Sequence, residues 1–114
     1  MIFLAIVFME DMMSEEKVKN ISQSISSVEH PSIAASLEKL GMLRDVEISE
    51  SGDVSLTLVL PFPQIPENIQ KFMINSLGAA VKTTGGELQQ VKMAVMDGEE
   101  KANFLAIETQ NWRG

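Results

Sequence analysis

The sequence predicts an α+β domain of two layers, a three-stranded mixed sheet with helices on one face, and three observations carry that prediction. Val54, Leu56, Leu58 and Leu60 alternate with Ser55, Thr57 and Val59, the period of two that marks a strand on a core. Directly after it, Ile65, Ile69, Phe72, Met73, Leu77, Ala80 and Val81 fall at helical spacing. Before it, the short link Ser49-Glu50-Ser51-Gly52-Asp53 joins the strand to an earlier one, which makes an antiparallel hairpin. A hairpin, a crossover helix and a last strand give the mixed sheet.

The elements follow in order. Ile2 to Met9 is an apolar run without a basic segment before it, too short to span a bilayer and wrongly flanked for a signal peptide. Two readings stay open, a spurious extension from a start codon called upstream of Met12 or Met13, or a genuine extra strand that pairs with a sheet edge or with a second subunit as a homodimer. Residues 1–13 are thus an apolar extension, 14–97 the domain and 98–114 a C-terminal helix and tail.

Ser14 suits an N-cap, Glu15 and Glu16 suit the positive end of a helix, and Val18, Ile21, Ile25 and Val28 form its stripe. His30 precedes Pro31, which ends that helix. Ser32 is then expected to cap a second short helix with Ile33, Leu37 and Leu40 inside and Gly41 as its C′ residue. Met42, Arg44, Val46 and Ile48 share a phase in the first strand, so Arg44 either buries its stem at the sheet edge or belongs to a functional surface.

Pro61 stops the second strand, and Pro61, Pro63 and Pro66 stiffen the loop before the longest helix. Lys82 to Gly86 reads as a loop, Val91, Met93 and Val95 as a third strand, and Glu99 to Trp112 as a terminal helix with Phe104, Leu105, Glu108 and Trp112 on one side.

Composition bounds the function. The chain has 114 residues, enough for one domain that buries about two thirds of its unfolded surface. A formal charge of −7 repels phosphate backbones and anionic lipid, so neither nucleic acid nor a membrane is an expected partner. With no cysteine there is no thiolate, and with one histidine no metal cluster of the usual spacing, so no cofactor is expected. Ser22, Ser24, Ser26 and Ser27 lack the base and third group a nucleophile needs, and Gly85-Gly86 fits no phosphate-binding pattern. A catalytic site is therefore not expected. The candidate contact residues are Phe62, Pro63, Gln64 and Ile65 in the stiff loop, together with His30, Arg44 and Trp112. Phe62 is either an apolar anchor for a partner or a cap on the core, and Trp112 either docks on its own domain or forms part of a recognition tail.

His30-Pro31-Ser32-Ile33, Leu40-Gly-Met-Leu-Arg-Asp-Val46, Gly52-x-Val54-x-Leu56-Thr-Leu58 and Pro61-Phe-Pro-Gln-Ile-Pro66 resemble, in order and spacing, the MIP18/DUF59 family of iron–sulfur cluster assembly proteins. The resemblance runs from about Val18 to Val95. In that family the first motif is usually Asp-Pro-Glu and the loop after the second strand usually carries Cys-Pro, where this chain has His-Pro-Ser and Ile65-Pro66. The pattern is similar to a cysteine-free branch resembling the N-terminal domains of Mrp-type carrier ATPases, down to the terminal Trp-basic-Gly. The resemblance implies a small α+β fold and a cytoplasmic, non-catalytic adaptor in iron–sulfur protein maturation. Its implied partners are assembly factors, client proteins or a separate Mrp-type ATPase. The alternative is a generic interaction subunit such as an accessory component of a multicomponent oxygenase, since the same fold resembles phenylacetate-pathway accessory proteins.

Overall fold

The computed structural model describes residues 15–112. The apolar run Ile2 to Met9, the expected cap Ser14 and the last two residues lie outside the described residues. Helix α1 covers 15–26. It is followed by β1 (Leu43–Ile48), β2 (Asp53–Leu60), α2 (Glu67–Thr83), β3 (Glu87–Val95) and α3 (Gly98–Asn111). The sheet order is β1-β2-β3, with β1 antiparallel and β3 parallel to β2. This is the α+β arrangement of a three-stranded mixed sheet and helices that the patterns predict.

The core is where the stripes meet. Ile21 and Ile25 of α1, Val54, Leu56, Leu58 and Leu60 of β2, and Met73, Leu77 and Val81 of α2 are all buried. β2 is buried without a break from Leu56 to Leu60, because it is the central strand. In the register Thr57 lies between Arg44 and Lys92, whose long stems flank it.

The segment between α1 and β1 departs from expectation. No helix forms around Ile33, Leu37 and Leu40, although all three are buried. Three backbone groups of the 33–40 stretch pair outside it instead. His30 N–H donates to the Ala35 carbonyl, Leu37 N–H to Val28, and Ala34 N–H to Asn111 at the end of α3. Isolated bridges join Glu29 to Ser36 and Ile33 to Trp112. The cap is Ser36, whose hydroxyl accepts from Lys39 N–H, and not Ser32, and a turn is all that follows. Gly41 keeps its expected left-handed conformation, at φ +76°.

Four apolar residues also sit differently from their patterns. β1 carries a bulge between Arg44 and Glu47 with Asp45 at φ +52°, so the phase breaks and Val46 is exposed. Phe72 lies on the flank of α2 and is 52% exposed. Met93 and Val95 are exposed because β3 is an edge strand, with the helical layer over only part of it.

Candidate functional site

The C-terminal end of β2 opens into a groove. Pro61 cannot extend the ladder, and the chain turns through Phe62 to Ile65 before Pro66 takes the N-cap of α2. The Pro66 carbonyl accepts from both Ile69 and Gln70 N–H, and the Gln70 side-chain amide donates back to the Ile65 carbonyl at 2.7 Å. The loop is therefore fastened at its helix end, with Pro61 buried, Ile65 half-buried and Phe62, Pro63 and Gln64 exposed.

The groove holds about 170 Å³ and has three walls. Pro61, Phe62, Ile65 and Pro66 form the first, and Ile69 and Met73 of α2 the second. His30, Ser32, Met42, Phe104, Glu108 and Trp112 complete it from the α1–β1 segment and α3. This position, beyond the carboxyl ends of the parallel strands β2 and β3, is where open α/β units commonly receive ligands.

Four predicted contact residues, His30, Phe62, Ile65 and Trp112, come together on this groove. Pro63 and Gln64 are exposed at the loop tip beside it without lining it. Arg44 stands apart. Its guanidinium pairs with the Glu100 carboxylate at 2.5 Å and so ties β1 to α3. That ion pair raises the Arg44 pKa; the Asp97 backbone N–H first, and Arg44 second, lowers that of Glu100. Glu100 also closes a capping box with Asp97, which fixes the start of α3.

Phe62 is neither free nor capping the core. The residue is 36% exposed, and the Lys101 ammonium lies 4.3 Å from its ring centroid, so α3 steadies one side of it. Trp112 is likewise divided. Its backbone bridges to Ile33, and its side chain stays 56% exposed on the groove.

His30 supplies a polar group there. Ser32 N–H donates to its Nδ1 at 3.0 Å, which places the ring proton on Nε2 as a donor. Burial lowers its pKa from 6.5, so the neutral ring is favoured. Pattern reasoning missed Ser32, Met42, Ile69, Met73, Phe104 and Glu108 as site residues. The stripes on α2 and α3 contained four of them, but a stripe does not tell core from groove wall.

Fold and site together define a small α+β domain whose β2-α2-β3 unit carries an apolar groove at the strand ends. The chain belongs to the iron-sulfur cluster assembly protein family, which it matches over residues 18–95. It is also similar to an iron-sulfur cluster carrier protein of Synechocystis sp., with 38% identity over 76 residues, 66% of this chain. The chain spans 21% of the length of that relative.

Proposed function

We propose that this chain acts in the cytoplasm as a non-catalytic adaptor in iron–sulfur cluster assembly, holding an assembly factor or a client protein by an apolar side chain seated in the groove. One observation carries the reading. Ile65 stands where the family resemblance expects cysteine, and it is a half-buried wall of an apolar groove. A cluster is normally held by thiolates, and this chain has no cysteine and one histidine. Among the described residues no three His, Cys, Asp or Glu side chains gather to hold a metal ion. The residues present therefore do not fit a cluster, whereas Phe62, Ile65 and Trp112 fit an apolar anchor with little ordering cost. No helix among the described residues is long and apolar enough to cross a membrane.

The test is a pull-down with the intact chain, its captured proteins identified by mass spectrometry, alongside the Phe62→Ala variant. An iron–sulfur assembly factor or client retained by the former and lost by the latter supports the adaptor. Recovery of neither, or a stoichiometric cluster held after incubation with ferrous iron and sulfide, overturns it.

A further inference from the structure

The two edges of the sheet are treated differently. β1 is short and bulged, and Arg44, Asp45 and Glu47 place charges along it, the usual means of keeping an edge from pairing. β3 is nine residues long, and among the described residues no strand pairs with its outer side. From Leu88 to Met96 its only charged residue is Lys92. Met93 and Val95 are 44% and 50% exposed there.

We propose that β3 pairs with β3 of a second copy of this chain, antiparallel about a two-fold axis through Met93, joining two sheets into one of six strands. The register follows from charge and face. An axis through Lys92 would set two ammonium groups opposite each other in neighbouring strands, which is repulsive. An axis through Met93 sets Lys92 opposite Ala94, Val91 opposite Val95, and Met93 opposite its own copy, so apolar residues cover apolar residues. The strand ends at Val95, so the paired stretch is 91–95 of each copy, and no two like charges meet within it. For a chain of net charge −7, a nearly uncharged strip is where a second copy approaches at least electrostatic cost. The pairing is isologous and the β1 edges are guarded, so association closes at two instead of running on into a filament.

Sedimentation velocity across the micromolar range, read against the monomer mass of 12.6 kDa, tests the association. The intact chain is expected to sediment at twice that mass, and Met93→Lys at the monomer mass with an unchanged circular dichroism spectrum. Phe72→Lys, which charges an equally exposed apolar residue on α2, is expected to leave the dimer intact. The register has its own probe, because Met93→Cys introduces the sole thiol of the chain. With oxidised glutathione as acceptor of the electrons, two copies of that variant should form a disulfide. Directly opposed residues stand about 4.5–5.5 Å apart at Cα, within reach of the bond. Val91→Cys alone should not crosslink, while an equal mixture of Val91→Cys and Val95→Cys should. A monomeric intact chain overturns the proposal. So does a dimer indifferent to Met93→Lys, including one lost only on removing residues 1–13, and so does a Met93→Cys dimer that stays reduced.

Discussion

At its hairpin end the sheet closes on itself, whereas at the opposite end, from the same strands, it opens into a groove. At the closed end Glu87 N–H donates to the Gly52 carbonyl, Lys17 Nζ to Ser51, and Ser49 and Asp53 exchange bonds across the turn. Gly86 lies so close that a Cβ there would stand 2.7 Å from the Gly52 oxygen and 2.8 Å from Ile21. At the open end, prolines prevent the strand from continuing, and the apolar side chains beyond it meet around space. The difference teaches how a small domain can be tied tightly at one end of its sheet while the other leaves Phe62 and Trp112 exposed around a groove.

The largest expected effect breaks the closed end. Gly86→Ala must both move backbone at Gly52 and repack Ile21 and Val81, overpacking that costs about 3 kcal/mol and lowers the melting temperature by roughly 10 °C or more. Gly98→Ala meets nothing within 4 Å and, at the start of α3, should be neutral or slightly stabilising. Thermal melts of the two variants check this, and equal melting temperatures would mean the closed end yields more than its contacts imply.

Phe62→Ala addresses the open end with the reverse signature. A partly exposed ring anchored by one cation–π contact contributes little to folding, so the melt should shift by only a few degrees. Partner affinity, titrated by calorimetry with a protein captured as above, should fall by about 2 kcal/mol. A large loss of stability with affinity intact would place Phe62 in the core instead.

Ile65→Cys sharpens the comparison further. Position 65 is half-buried, lines the groove and immediately precedes the α2 N-cap Pro66. A thiol beside a helix N-terminus is held partly ionised at neutral pH, so iodoacetamide should label it in the native protein. A cysteine at Leu77, fully buried in α2, should resist until unfolding. Resistance at both positions would close the groove and remove half the support for its role.

How much of this was legible in the sequence depended on whether a residue's fate was decided locally. The strand Val54–Leu60 and the helix after Pro66 follow from period, and both stand where expected, while Gly41 takes the left-handed conformation of a C′ residue without the helix it was expected to end. The 33–40 stretch has a helical pattern and forms none; Ala34 donates to Asn111 at the end of α3 and Leu37 to Val28 just after α1, partners that no local rule can see. Phe72, Met93 and Val95 looked like core because periodicity reports a face, not whether another element covers it. The same limit applied to the site. The loop residues were readable from their prolines, but joining His30 and Trp112 to them depended on the bridge from Ile33 to Trp112.

The smallest expected effect lies in the acid limb of stability, where the open end should answer through His30. Its Nδ1 accepts from Ser32 N–H, so protonation there would set a donor against a donor, and burial already lowers its folded pKa below 6.5. The unfolded chain therefore binds the proton first. As pH falls below about 6.5 the unfolded state gains protons that the native state refuses, and stability declines until the folded value is passed; well above 6.5 the residue contributes no pH dependence. Glu100 acts at lower pH. Its depressed pKa means that its contribution is complete above the ordinary value of 4.5 and is lost as pH falls through the folded one. The two groups are separable because Gln at position 30 can still accept from Ser32 N–H but does not titrate. Melts of the wild type and His30→Gln between about pH 8 and pH 5 should diverge only in the lower half of that range, the wild type falling faster. Parallel curves would mean that His30 takes its proton freely in the folded protein, and the groove wall at that point would then be wet.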